Sequence, residues 1–304
     1  MQAYKKETGI TLYICKLSWV QLMRPMTWSG TISPIMAGAL MAAKGGEFRW
    51  EVLVILLAAA LLVQSGANMF NDYFDFKRGQ DKERWGVWQK SIPRKHLFHH
   101  EIPYMAAGLM ASAAFLGVWL AVIAGWWVIV VGLIGICTGI GYSAGRRSLA
   151  SLGLGEVTAG LFLGFVTTML SYGVQTQMIS IASVFVGLVF SMLISSMVLT
   201  NNIRDIKKDT GFRKTLAMRI GRRNAIRLLA VLLIGAYLVV MALRIFSIVG
   251  SGVLLVSIAF PLVIRILRSF RMSGREEQLA MKRAAIHHWV FGMLFVLGLL
   301  MDLM

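Results

Sequence analysis

With 304 residues, 57% of them hydrophobic and 15% charged, and a mean hydropathy of +0.70, the chain is too apolar for an ordinary water-soluble domain. Its net charge of +17 would suit nucleic acid, but the basic residues are arranged as topology signals instead. All but three of the 31 Lys and Arg, namely Lys44, Arg49 and Arg244, fall on the N-terminal segment or on alternate loops and the span ends bordering them. That one-sidedness follows the positive-inside rule, excludes nucleic acid as the partner, and places the N-terminus and four basic loops in the cytoplasm of a multi-pass cell-membrane protein.

At about 20 residues per crossing, the apolar runs predict an all-α bundle of about nine transmembrane helices, forming a single domain over 1–304. The predicted spans run roughly over 20–43, 51–74, 102–123, 126–143, 153–174, 178–201, 224–244, 248–266 and 285–303. Gly125 alone separates the third from the fourth. Cys15 and Cys137 fall on the cytoplasmic tail and in a span, so no disulfide framework is expected. The N-terminal residues lack a signal-peptide pattern.

Residues 1–19 read as an interfacial segment, after which Arg24-Pro25 opens or kinks the first span and Pro34 interrupts it. The second span ends in Gln64, Asn68, Asn71, Asp72 and Asp75, followed by Gly79 and Asp81. Steps of three and four put these polar groups along one helix face at a membrane boundary. Gln64 and Asn68 lie inside the apolar run, where facing lipid is costly, so Asn68 is a candidate substrate contact. Residues 82–100 mix Lys and Arg with Trp85, Trp88 and Phe98, which reads as an interfacial anchor or as a lid over the acidic groups. No carboxylate stands at ligand spacing from His96, His99 and His100, and no metal is expected there.

Tyr142-Ser-Ala-Gly-Arg146-Arg147 separates spans four and five, and Glu156 follows as a lone acid in an apolar stretch. Such an acid either makes an interhelical hydrogen bond or serves function; both readings stand. The sixth span leads into Asn201-Asn-Ile-Arg204-Asp205-Ile-Lys-Lys-Asp209. On one helix Asn201, Asp205 and Asp209 form a stripe with neighbours about 6 Å apart. Carboxylates that close call for a cation, and hard oxygen ligands without Cys or His point to Mg²⁺, with Mn²⁺ as the alternative. Arg213, Lys214, Thr215, Arg219 and Gly221 follow, as a solvated basic loop or as partners for an anion. Spans seven and eight carry no ionisable residue at their centres and read as wall, with a kink at Pro261. The loop from Arg265 to Arg283 is basic, and His287-His288 are expected at the interface.

Placing residue 71 on residue 201 aligns Asn71-Asp-Tyr-Phe-Asp75 with Asn201-Asn-Ile-Arg-Asp205, and Asp81 falls near Asp209. Both copies finish a span entering the cytoplasm, so the repeat is parallel. One acidic face from each half offers two carboxylate clusters to two cations, which suits a bridged diphosphate. A transporter is the non-enzymatic reading of intramembrane polar groups and repeats, although these acids gather at one face rather than at the midplane.

These two segments, with Gly79-Gln-Asp81 and Lys214-Thr-Leu-Ala-Met-Arg219-Ile-Gly221, resemble the two aspartate motifs of the UbiA superfamily of intramembrane prenyltransferases. With Gly-Leu-Gly-Glu156 they most resemble its 1,4-dihydroxy-2-naphthoate polyprenyltransferases of menaquinone synthesis. The resemblance implies a bundle around a central cavity and Mg²⁺ held by Asn71, Asp72, Asp75, Asp81, Asn201, Asp205 and Asp209. Asp72, Asp75, Asp205 and Asp209 are the catalytic carboxylates it implies. A polyprenyl diphosphate would be gripped by Lys77, Tyr142, Arg146, Arg204, Lys214 and Arg219, with Glu156 also near substrate. The implied activity is prenyl transfer to an aromatic acceptor with loss of CO₂ from dihydroxynaphthoate. The alternative acceptors are 4-hydroxybenzoate, homogentisate and a glycerol phosphate lipid.

Overall fold

Lipid leaves backbone groups no water to bond, so each apolar run closes its own hydrogen bonds as a helix. The computed structural model describes residues 12–87, 97–145, 147–272 and 274–303. Its longer helices are α1 (Ser29–Lys44), α2 (Trp50–Lys77), α3 (His99–Ala124), α4 (Trp127–Ser143), α5 (Gly155–Thr176), α6 (Ile181–Arg204), α7 (Arg222–Ile245), α8 (Ser251–Ser269) and α9 (Arg275–Met301). Among the described residues seven are long and apolar enough to cross a membrane, whereas α1 and α4 have only 16 and 17 residues. The expected nine crossings are therefore matched in length at seven places.

The first predicted span differs most. Residues 20–28 do not continue α1; they form a short helix at Trp19–Leu22 and a tight turn at Pro25–Thr27. Pro25 disfavours the helical region for the residue before it, and Arg24 takes a left-handed φ of 56°. The chain is thereby bent back over the end of α2. Gly125, at φ 104°, breaks α3 from α4 as a residue without Cβ can.

Two apolar clusters make the core, and α1 serves both. Ile35 and Ala39 pack with Val52, Leu56, Leu120, Val128 and Val174 of α2 to α5. Ala37 and Leu40 pack with Phe190, Leu233, Val256, Phe291 and Phe295 of α6 to α9. Helices come close where small residues face each other: a Cβ at Gly164 in the π-helical stretch of α5 would meet the backbone of Ser191 on α6. At the motif end of the bundle, β1 (Tyr13–Cys15) pairs antiparallel with β2 (Trp85–Val87). This ribbon covers a third cluster of Cys15, Leu22, Met69, Trp85, Ile102 and Ala106.

Candidate active site at the ends of α2 and α6

α2 runs three residues beyond its predicted end, so Asn71, Asp72 and Asp75 are all helical and all buried. α6 stops sooner. It ends at Arg204, Asp205 adopts a capping conformation at φ −97°, and Ile206–Asp209 forms a separate turn. The expected single helical stripe is thus interrupted at Asp205, where the side chain turns onto its neighbour Arg204. The four-residue spacing survives in the backbone: Asp205 N–H donates to Asn201 and Asp209 N–H to Asp205, at 3.0 and 2.9 Å.

The two acidic segments meet. Gln80 Nε2 donates to Asp209 Oδ1 at 3.1 Å, and Lys208 on the second segment pairs with Asp81 on the first. Glu83 joins the same lysine at 3.1 Å. Asp75 and Asp205 both act electrostatically on Asp209.

Every motif carboxylate has a basic partner. Arg24 reaches Asp72 Oδ1 at 2.7 Å and Asn71 Oδ1 at 2.9 Å, and Arg84 reaches Asp72 Oδ1 at 2.9 Å. Arg78 holds Asp75 at 2.7 Å, Arg204 holds Asp205 at 2.6 Å and Asn201 at 2.7 Å, and Arg213 holds Asp209 at 2.9 Å. Five motif carboxylates are met by six basic side chains, one of which, Lys208, is shared with Glu83. Burial raises the Asp209 carboxyl above its ordinary value, with Arg213 partly opposing. Burial also works to raise Asp81, but the Lys208 hydrogen bond and the charges of Arg84, Lys208 and Arg24 outweigh it and hold the group low.

Among the described residues no three His, Cys, Asp or Glu side chains converge closely enough to hold an ion as they stand. Of the motif carboxylates, two buried oxygens nevertheless lack any partner among the described residues, Asp72 Oδ2 and Asp209 Oδ2, one from each segment. An unsatisfied buried carboxylate oxygen is costly, and a hard divalent cation is the ligand that two such oxygens suit. The donor set therefore fits Mg²⁺ once the arginines swing away.

The other expected site residues are distributed unevenly. Asn68 donates to Met23 O at 3.0 Å and Gln64 to Thr27 O at 2.9 Å, so both amides anchor the bent segment that carries Arg24. Lys77 is exposed over the Tyr73 ring, and the neighbouring Arg78 takes the place beside Asp75. Tyr142 lies within electrostatic reach of Glu156, Arg213, Arg24 and Asp75. Glu156 accepts from Asn202 Nδ2 at 2.9 Å, the interhelical bond foreseen for it, and its Oε2 stays without a partner. Lys214 and Arg219 are exposed, and Arg219 caps the Lys214 carbonyl at 3.4 Å. Arg146 lies outside the described residues, as does the middle of the 82–100 segment. His99 stacks on Tyr73 at 4.4 Å. His287 and His288, expected at the interface, are buried, and His287 bonds Tyr237 at 2.8 Å.

Sequence reading missed Arg24, Arg78, Gln80, Arg84, Asn202 and Lys208. For Arg24 a signal existed, since an arginine inside a predicted span is expensive unless it is paired.

A multi-pass helical membrane protein with two buried acidic segments meeting under arginines at one face is the class that fold and site define. The model of the UbiA prenyltransferase family matches residues 31–291, and the chain belongs to that family. It is 30% identical to the 1,4-dihydroxy-2-naphthoate octaprenyltransferase of Bacillus subtilis, over 93% of this chain and 92% of that one. The Escherichia coli protein of the same name is 27% identical over 94% and 96%. Among solved structures, a UbiA homolog from Archaeoglobus fulgidus bound to DMAPP and Mg²⁺ superposes with a TM-score of 0.63 at 14% identity, covering 94% of this chain and 99% of that one. The apo UbiA homolog from Aeropyrum pernix gives 0.67 at 12% identity, with 93% and 99% covered.

Proposed function

We propose that this protein transfers a polyprenyl group from its diphosphate to 1,4-dihydroxy-2-naphthoate in menaquinone synthesis, at the cytoplasmic face of the cell membrane. The observation that carries the reading is the junction of the two acidic segments, with a partnerless carboxylate oxygen on each side and six basic side chains around them. The names of the Bacillus subtilis and Escherichia coli relatives support the acceptor, and the one-sided basic loops support the orientation.

Asn71, Asp72, Asp75, Asp81, Asn201, Asp205 and Asp209 would hold Mg²⁺. When bound, it neutralises charge growing on the leaving diphosphate and so lowers the barrier to loss of that group. The chain's own residues do the rest. Arg24, Arg78, Arg84, Arg204, Lys208 and Arg213, released from their carboxylates, turn to the diphosphate oxygens, where guanidinium groups bind in a two-pronged way. Tyr142 lies beside the same group. The bent segment that sets Arg24 on Asn71 and Asp72 would limit water there, which would otherwise capture the allylic cation. The electron-rich ring attacks that carbon, and its carboxyl group departs as CO₂.

The test is to incubate purified protein with Mg²⁺, a set of prenyl diphosphates and a panel of aromatic acids, and to weigh the products. A prenylated dihydroxynaphthalene lacking CO₂ is expected. Products only from 4-hydroxybenzoate, homogentisate or a glycerol phosphate lipid would overturn the acceptor, and no Mg²⁺-dependent product would overturn the reading.

A further inference from the structure

Glu156 is an acid the transfer chemistry above leaves unused. It sits at the second residue of α5, 3% exposed, with Oε1 accepting from Asn202 Nδ2 at 2.9 Å. Its main-chain carbonyl is fixed by Ser195 Oγ at 2.9 Å, so α6 holds the residue at two points, one on the backbone and one on the side chain. Asn202 is the neighbour of Asn201 in the second acidic segment, which ties Glu156 to the reacting end of the bundle. Tyr142 and Arg213 lie within electrostatic reach. Arg213 gives one Nη to Asp209 at 2.9 Å and keeps Nε without a partner, and among the described residues no hydrogen bond reaches Glu156 Oε2.

A buried carboxylate oxygen that no protein group reaches is suited to accept from an O–H or N–H group. A prenyl diphosphate cannot fill it: its tail has no donor and its ionised head repels the carboxylate. Of the two substrates, only the acceptor, through its ring hydroxyls, brings such a donor.

We propose that Glu156 Oε2 accepts a hydrogen bond from a ring hydroxyl of the aromatic acceptor, with Asn202 orienting the carboxylate. This deepens the proposed prenyl transfer and rests on it. The bond raises electron density on the ring and aims the attacking carbon at the allylic centre. In the step itself the allylic C–O bond breaks and its electron pair leaves with diphosphate. A ring pair forms the C–C bond, and the ring's own bond to its carboxyl carbon returns a pair as CO₂ departs. The hydroxyl proton stays on oxygen, shared with Glu156.

The test compares dihydroxynaphthoate with its two monomethyl ethers, using farnesyl diphosphate and Mg²⁺. The wild-type protein should disfavour one ether by about 100-fold in kcat/KM, because a site built for a hydroxyl leaves its carboxylate unpaired when the donor is missing. In Glu156→Gln the amide donates to either oxygen, so the preference should fall to within about threefold while KM for farnesyl diphosphate stays unchanged. Glu156→Asp should keep the preference and raise KM for the acceptor, and it serves if the Gln variant does not fold. A Gln variant that slows hydroxyl and ether acceptors equally, or an Asp variant with unchanged acceptor KM, overturns the assignment of Glu156 and leaves prenyl transfer standing. A wild-type protein that prenylates no acceptor overturns the proposed function, and this inference with it.

Discussion

The side-chain amide of Gln80 donates to Asp209 Oδ1 across 3.1 Å, joining the end of the first acidic segment to the end of the second. The two residues are 129 positions apart, and Gln80 is buried. The bond is thus a direct measure of how the halves of the site are held together. Replacing Gln80 by Ala should cost about 1 kcal/mol of stability, the ordinary net worth of one such hydrogen bond. The larger effect should be on function. Asp209 keeps Arg213 but loses its tie to the first segment, and we expect KM for prenyl diphosphate to rise by about tenfold, which a 1.4 kcal/mol loss of positioning would produce. A steady-state titration of the diphosphate substrate checks this, and an unchanged KM would show that the segments are registered by other contacts.

Asp75 and Asp205 occupy matching places in the two segments, each beside one arginine, Arg78 and Arg204. Asp75→Asn and Asp205→Asn keep the volume and remove the charge. Each should lower kcat/KM by at least about 1000-fold, the scale of removing a group that stabilises developing charge. The thermal transition in detergent should survive in both. Full activity in either variant would sink the metal assignment for that half.

Much of this was readable from the residues alone, for physical reasons. Lipid forces backbone groups into helices, so apolar runs mark most span positions to within a few residues, and the starts of the first and last differ by about nine and ten. Acids at helical spacing in a membrane are expensive, so Asp72, Asp75, Asp205 and Asp209 stood out. What stayed hidden depends on contacts far along the chain. Arg24 was absorbed into a predicted span of 20–43 because a left-handed residue cannot be seen in hydropathy. Arg78, Arg84 and Lys208 looked like topology charges, since charge count does not reveal which carboxylate a lysine meets. Glu156 pairs with Asn202 across 46 residues, a partner that spacing along one helix does not reveal.

Metal removal separates chemistry from folding. Chelation should abolish transfer, and Mg²⁺ should restore it, yet a cooperative thermal transition should persist because each carboxylate falls back on its own arginine or lysine. Arg24→Met exposes that arrangement. It strips one partner from Asp72 and should lower stability in chelator by about 1 kcal/mol, below the figure for a fully buried pair because Arg24 is 34% exposed. Adding Mg²⁺ should narrow the gap between variant and wild type, since the ion replaces the lost charge. Calorimetry with and without Mg²⁺ reads it, and a gap that does not change with metal would deny the exchange between arginine and ion.

Asp81 gives the site a pH signature. Its carboxyl is held below the ordinary value of 3.8: burial works against that, but the Lys208 hydrogen bond and the charges of Arg84, Lys208 and Arg24 prevail. For an acid whose folded value is depressed, the stabilisation is present above the unfolded value and is lost as pH falls through the folded one. Lys208→Met removes the principal opponent of burial and should lift the folded value. The variant should therefore melt below wild type at about pH 6, and the difference should shrink as pH falls through the depressed folded value of Asp81, below which the carboxyl is neutral with or without its lysine. Glu83 also meets Lys208, but it is largely exposed and water screens it. Melting curves of both proteins across that range decide the matter: a difference that stays constant to low pH would mean that Lys208 acts through packing rather than through the Asp81 charge.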